Sequence, residues 1–272
     1  MTSRHLRQDP AMDAQELREV LEFAVEAAQL AGAFTLGHFQ ADTPVELKSD
    51  DSPVTVADRG AEELLRERIQ RAFPRHGILG EEHGEVVGAD PGRWILDPID
   101  GTVSFVCGVP LYAVLVGFEW EGEMLAGVIH LPALRETIWA GRGLGCSWNG
   151  RRARVSTVTR LADARVVHGG LAWLERCGRG AALGRLLAGS KLDRGWCDAY
   201  GYALVATGRA EVSLDPVMKI WDTAALLPVL LEAGGELTDW GGRRTHRAPE
   251  VVATNGALHA EVLARLREPA GG

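Results

Sequence analysis

Asp97 and Asp100 flank Pro98-Ile99 and run straight into Gly101-Thr102, within Trp94-Ile95-Leu96-Asp97-Pro98-Ile99-Asp100-Gly101-Thr102. Two carboxylates three residues apart can converge on one point, and hard anionic oxygens gathered there suit a divalent cation. The apolar run Trp94-Ile95-Leu96 reads as a buried strand that delivers Asp97 at its carboxyl end. Pro98 has a fixed φ and no N–H, so the chain is expected to turn there with the Ile99 carbonyl pointing outward. Gly101 allows close approach of backbone to a ligand. Thr102 adds a hydroxyl and an amide at the start of a helical turn, a setting suited to phosphate. A bare D-x-x-D is ordinarily an acidic turn. The five specified residues of D-P-x-D-G-T, however, arise by chance in roughly one chain of this length per ten thousand. The chemistry implied is a metal ion holding a phosphate.

Three further carboxylates stand at the ends of predicted elements. Glu81 follows a short strand at 78–80, in Gly80-Glu81-Glu82-His83-Gly84-Glu85, where a solvated acidic loop is the ordinary alternative. Asp222 opens a helix predicted over 221–233, and Asp58 stands at the start of another over about 57–73. N-capping alone would account for either. Taken with Asp97 and Asp100, these carboxylates fit a two-metal site, whose ligands come from element ends.

The elements that must position them follow from periodicity. Apolar residues at helical spacing predict a helix within 12–39, and the 57–73 helix carries Leu64, Leu65 and Ile69 on its inner face. A polar loop over 49–58 joins the two. Strand-like runs at 113–119, 123–130 and 136–140, the first two joined by Glu121-Gly122, predict a largely antiparallel sheet closed by a tight glycine-rich stretch at 141–150. Beyond it come strands at 166–167, 211–214, 236–238 and 251–253, with helices at 179–187, 200–207 and 257–266. Gly234-Gly235 stops the 221–233 helix. No repeat or low-complexity linker appears, and the chain divides into halves at 12–155 and 156–272.

At 272 residues and 46% hydrophobic, the chain can bury a large core, and its 33 Gly and 12 Pro favour a turn-rich α/β protein over a helical bundle. A net charge of -8 argues against a nucleic-acid surface. It is compatible with phosphate chemistry once bound cations are counted. Cys107, Cys146, Cys177 and Cys197 show no C-x-x-C spacing, so neither a zinc cluster nor a disulfide scaffold is indicated, and packing roles are expected. His83 reads as a surface residue. No apolar run approaches ~18 residues and no signal-peptide h-region is seen, which reads as a soluble cytoplasmic protein.

Asp97-Pro98-Ile99-Asp100-Gly101-Thr102, Gly80-Glu81-Glu82 and Trp221-Asp222-Thr223-Ala224-Ala225 together resemble the signatures of the inositol monophosphatase family. Leu231-Glu232-Ala233-Gly234-Gly235 and the stretch from Lys48 through Asp58 match as well, so the similarity covers about 17–263. The resemblance implies an α/β (α+β) fold, a layered αβαβα sandwich, in a homodimer that hydrolyses phosphomonoesters with two or three Mg²⁺ and is often Li⁺-sensitive. Carried over by position, it implies that Glu81, Asp97 and the Ile99 carbonyl hold one metal. Asp97, Asp100 and Asp222 hold a second, and Asp58 with Glu81 supports a weaker third through water. Thr102 and Glu81 would orient the attacking water, and the Gly101 and Thr102 amides would cradle the phosphate.

For the alcohol half of the substrate, the resemblance points to Asp198 and Asp215. Asp198 through Tyr202, Asp215-Pro216 and the stretch from Gly127 to Leu134 are similar to the histidinol-phosphatase branch. Histidinol phosphate carries an ammonium and an imidazole, and two carboxylates favour a cation over a neutral polyol. The alternative is that Asp198 caps the helix that follows it. Val103 departs from that branch, which often has a basic residue there. Lys219 is a candidate partner for Asp215. The rival readings are an inositol-1-phosphate or broad sugar-phosphate phosphatase and, with only Arg176, Arg179 and Arg194 to hold a second phosphate, an enzyme for 3′-phosphoadenosine 5′-phosphate. A non-catalytic Mg²⁺-dependent interaction protein is the reading from another class.

Overall fold

The structure, a computed structural model, describes residues 12–41, 44–48, 52–196 and 198–267. The polar lead expected over 1–11, the loop residues 49–51 and Cys197 lie outside the described residues. The chain begins with α1 (Ala14–Leu36), started by an Asp13/Glu16 capping box in which Asp13 Oδ1 accepts from the Gln15 and Glu16 amides at 2.7 and 2.9 Å. A short hairpin, β1 (Val45–Leu47) with β2 (Pro53–Thr55), leads into α2 (Val56–Ala72). The central strands are β3 (Gly77–Gly80), β4 (Gly84–Val86) and β5 (Gly92–Asp100). After the short helix α3 (Thr102–Val106) come β6 (Ala113–Trp120), β7 (Glu123–Leu131), β8 (Glu136–Gly141), β9 (Gly145–Trp148) and β10 (Arg151–Arg152). They form an eight-stranded sheet in the order β10-β9-β8-β7-β6-β5-β3-β4, in which only β3 and β5 pair in parallel.

The rest of the chain builds a second sheet. Its elements are β11 (Arg165–His168), α4 (Leu171–Arg176), α5 (Gly180–Ala188), β12 (Leu192–Arg194), α6 (Asp198–Ala206) and β13 (Val212–Asp215). Then follow α7 (Ile220–Ala224), α8 (Leu226–Glu232), β14 (Glu236–Thr238), β15 (Val251–Thr254) and α9 (His259–Arg267). The order of its five strands is β12-β11-β13-β15-β14.

Period-2 alternation along β5 decides the layering. Trp94 and Leu96 point to one face, where they pack with Leu17, Val20, Leu65 and Ile69 of α1 and α2. Ile95 points to the other, into a cluster with Leu115, Ile129, Tyr202, Val205, Val229 and Leu230. That cluster continues to Leu237, Val251 and Ala253, so α6 and α8 lie between the two sheets. Val166, Val212 and Val252 on the far face of the second sheet meet Leu183, Leu186, Val262 and Leu266 of α5 and α9. The result is the layered αβαβα sandwich that the resemblance implied. A run of small residues, Ala24, Ala27, Ala28 and Ala31, lets α1 lie close on the sheet. Each fully buried Leu, Val or Ile in these clusters contributes on the order of 1.5–3 kcal/mol of transfer free energy.

The structure revises several sequence expectations. The chain does not turn at Pro98: β5 runs through it to Asp100, and the β5–β6 register shifts instead. The helix expected over 221–233 is two helices. Pro228 cannot donate to the Ala224 carbonyl and its ring crowds it, so the helix breaks at Ala225. The polar loop holds β2, and the glycine-rich stretch folds into a hairpin in which Gly141 pairs with Gly145. The short elements β1, β4 and β12 are exposed or polar along their length, so no alternation marks them. Of the cysteines described, only Cys146 is packed; Cys107 and Cys177 are exposed, contrary to the packing roles expected.

Candidate active site

Residues three apart on a regular strand point to opposite faces, so Asp97 and Asp100 need a break in the pleat to meet. The register supplies it: Asp97 pairs with Leu115 and Asp100 with Ala113, three steps on β5 against two on β6. Pro98, with no N–H for the ladder, sits in this bulge, where one extra residue re-aims the strand end. Asp97 Oδ1 accepts from the Ile99 amide at 3.0 Å, which fixes its rotamer. Asp222, in the first turn of α7, arrives from the other half of the chain. Ligand atoms of Asp97, Asp100 and Asp222 all lie within 4.8 Å of one another. Asp222 is not the N-cap that the sequence alternative made it: Lys219 is, and Asp222 stands at N3, where its Oδ2 accepts from the Lys219 amide at 2.7 Å. Next to it, the Thr223 hydroxyl donates to the His246 carbonyl at 2.6 Å and ties α7 to the loop before β15.

Glu81 lines the same pocket but stands outside this triad. Its Oε1 accepts from Lys48 Nζ at 2.7 Å, and Lys48 also donates to Glu82 Oε1 at 2.6 Å. Asp58, buried in the first turn of α2, belongs to a capping box with its Oδ2 2.7 Å from the Thr55 amide and 2.6 Å from the Thr55 hydroxyl. Its Oδ1 faces the Thr102 hydroxyl at 3.5 Å. Thr102 donates instead to the Ile99 carbonyl, at 3.1 Å.

The substrate-side candidates close the pocket from the second sheet. Gly101 has φ +83°, and an added Cβ would sit 2.8 Å from Asp198 Oδ2, so both backbone and space demand glycine. Asp198 adopts φ +56° at the start of α6. The Ala199 amide, in the first turn of α6, donates to Asp100 Oδ2 at 2.5 Å, so Asp100 receives the helix start. Asp215, at the end of β13, accepts from the Tyr202 hydroxyl at 2.9 Å. Among the described residues Lys219 makes no ion pair with Asp215, so the partnership considered from the sequence is not formed. The pocket these side chains enclose measures about 140 Å³ and is also lined by Val217 and Met218. Two grooves of about 510 and 490 Å³ lie away from it, beside α1 and α8, and hold none of these carboxylates.

Crowding of like charge in a buried site raises carboxylate pKa values. Burial, then the charges of Glu81, Asp100 and Asp222, push Asp97 well above the carboxylate range. Asp100 is raised in the same way by burial and by Asp198 and Asp222. Burial and the charge of Glu81 carry Asp222 to about 7, against the Lys219 amide. Asp215 reaches about 8 through burial and the charge of Asp198, despite its hydrogen bond to Tyr202. Burial also raises Glu81 and Asp58, against the pull of Lys48 and Thr55 respectively. The site therefore holds more negative charge than its protein surroundings neutralise. Hard oxygen donors with a deficit of positive charge fit a divalent cation such as Mg²⁺.

Glu62 was missed from the sequence. It is fully buried on α2 and accepts from the Glu82 and His83 amides at 2.7 and 3.1 Å, directly after Glu81. The available signal was an acidic residue on the inward face of α2, with Arg66 four residues on.

A model of the inositol monophosphatase family matches residues 16–270. The chain is 43% identical to a histidinol-phosphatase of Chlorobaculum parvum over 90% of this chain and 96% of the relative. It is 36% identical to an inositol-1-monophosphatase of Mesorhizobium japonicum over 92% and 97%. The crystal structure of the extragenic suppressor protein suhB from Bartonella henselae superposes with a TM-score of 0.87 at 32% identity, over 92% of this chain and 99% of that one. With the αβαβα layers and the carboxylates gathered at the end of β5, these likenesses lead to one conclusion: the chain belongs to the inositol monophosphatase family.

Proposed function

We propose that the protein is a Mg²⁺-dependent phosphomonoesterase whose preferred substrate is L-histidinol phosphate. The observation that carries the reaction class is the triad Asp97, Asp100 and Asp222, held within 4.8 Å and electrostatically incomplete without cations. Asp97, Asp100 and Asp222 would hold one Mg²⁺, and Glu81, Asp97 and the Ile99 carbonyl a second, with Asp58 supporting a third. When bound, the cations neutralise charge on the phosphate and its leaving oxygen and lower the pKa of water near it. The chain's own groups do the rest. Thr102 and Glu81 orient the attacking water, with Asp58 beside Thr102, and the Gly101 and Thr102 amides receive the phosphate oxygens. Residues 12–155 supply the β5 carboxylates and residues 156–272 supply Asp222 and the substrate wall, so we read the site as the junction of two halves.

Substrate preference rests on Asp198 and Asp215, two carboxylates that line the same pocket and that the triad does not use. A cationic alcohol half would complement these two carboxylates better than a neutral polyol, which agrees with similarity to relatives named histidinol-phosphatase. A second reading, inositol-1-monophosphatase, is favoured by relatives of that name. An enzyme for 3′-phosphoadenosine 5′-phosphate has less support, since Arg179 is paired to Glu250 at 2.6 Å. The test is phosphate release, with Mg²⁺ and with chelator, from histidinol phosphate, inositol-1-phosphate, fructose-1,6-bisphosphate and 3′-phosphoadenosine 5′-phosphate. A preference of about a hundredfold for histidinol phosphate, roughly 2.7 kcal/mol, is expected. A best rate on inositol-1-phosphate selects the second reading, and no Mg²⁺-dependent release from any substrate would leave a non-catalytic binding role. Among the described residues no helix is long and apolar enough to cross a membrane. We read the protein as a cytoplasmic homodimer in histidine biosynthesis, which light scattering and cell fractionation test.

A further inference from the structure

We propose that Glu62 is a positioning residue for the metal site, holding the backbone that presents Glu81. Its carboxylate is fully buried on α2 and has three donors: the Glu82 amide at 2.7 Å, the His83 amide at 3.1 Å and Arg66 Nε at 2.7 Å. Arg66 also donates to the Gly84 carbonyl, so the carboxylate and its guanidinium grip the chain on both sides of the turn after Glu81. The Glu81 amide is held from the opposite side by the Leu96 carbonyl, at 3.2 Å. Gly80 completes the seat: a Cβ there would come 2.1 Å from Glu62 Oε1, so only glycine leaves room for the carboxylate. A buried charge is retained only when its donors are complete, and here two of the three donors belong to the segment carrying a metal ligand. Partners of this kind, one step removed from the ion, typically change metal affinity by about 10–100-fold.

The inference rests on the reading of Glu81 as a metal ligand, and the experiment separates the two. Mn²⁺ binding to the full chain is measured by electron paramagnetic resonance and calorimetry, with folding checked by circular dichroism. Glu62→Gln keeps the shape but turns an acceptor into an NH₂ facing backbone N–H groups. Gly80→Ala displaces the same carboxylate without altering its charge and serves if Glu62→Gln fails to fold. Glu211→Gln, at a fully buried carboxylate paired with Arg165 at 2.8 Å, is the control for loss of stability alone. The expected result is an Mn²⁺ Kd raised by at least about tenfold in the folded Glu62 or Gly80 variant and unchanged in Glu211→Gln. Wild-type Mn²⁺ affinity in a folded Glu62→Gln or Gly80→Ala chain overturns the proposal. If Glu81→Gln weakens Mn²⁺ binding while those variants do not, only the positioning role falls. If Glu81→Gln leaves binding unchanged, the metal reading of Glu81 falls with it.

Discussion

The two ends of the β5–β6 ladder treat buried carboxylates in opposite ways. At one end Arg93 pairs across the strands with Glu119, which is 5% exposed. Glu119 accepts from Arg93 at 3.0 Å, Arg247 at 2.8 Å and the His246 ring at 3.1 Å. Burial works to raise its pKa, but the His246 and Arg93 hydrogen bonds and the nearby charges outweigh it and bring it down to about 2. At the other end Asp97, also buried, is driven up by burial and by four more carboxylates, Glu81, Asp100, Asp222 and Asp58. The chain neutralises the first end from its own side chains and leaves the second for ions from solution. A buried charge with its partners complete is architecture, and one without them is a binding site.

Substitutions at the two ends should therefore part company. Asp97→Asn is expected to lower phosphate release by about a thousandfold, roughly 4 kcal/mol of transition-state stabilisation. The metal-free melting temperature should be unchanged or higher, because a repulsive charge is gone. Glu119→Gln should do the reverse, costing about 2 kcal/mol in urea denaturation while turnover at saturating Mg²⁺ stays near wild type. A stable, active Asp97→Asn chain, or an inactive but fully stable Glu119→Gln chain, would break the comparison.

Next in size is Asp198→Ala, which should cut kcat/KM for a cationic substrate by about a hundredfold and for inositol-1-phosphate by no more than a few fold. Equal losses would make Asp198 a structural residue. The smallest effect is on the pH dependence of metal-free stability. Asp222 and Asp215 have folded pKa values raised to about 7 and about 8. Their contribution is complete below the unfolded value, ~4, and is lost as pH rises through the folded ones. Glu119, lowered to about 2, contributes above its unfolded value and loses that contribution as pH falls toward 2. Denaturation midpoints in chelator should thus peak near pH 5 and decline toward both pH 3 and pH 8, with Mg²⁺ restoring only the alkaline side. A flat profile between pH 5 and 8 in chelator would show that Asp222 and Asp215 are not repelled by the neighbouring carboxylates as described.

Much of this was legible before folding. The 3.6 periodicity marked α1 and α2, each with one face in a core, short apolar runs marked β5 to β8, which pack on both faces, and the D-P-x-D-G-T run named two carboxylates of the triad. The elements that escaped notice, β1, β4 and β12, lie exposed or polar along their length, where hydrophobic pattern carries no signal. Pro98 was read as a turn, because a lone chain cannot reveal that a strand will absorb it as a bulge against β6.

Local chemistry in the sequence thus named Asp97, Asp100, Asp222 and Glu81 as candidate donors, since residue type and spacing are properties of the chain alone. Their convergence was settled by long-range packing: a one-residue register shift turns Asp97 and Asp100 together, and α7 brings Asp222 from more than a hundred residues away. The same holds for Glu62 and Glu119. Each is one more acid in a charged sequence until the folded chain decides which amides, cations or carboxylates surround it, because burial and charge balance exist only between segments that tertiary structure has brought into contact.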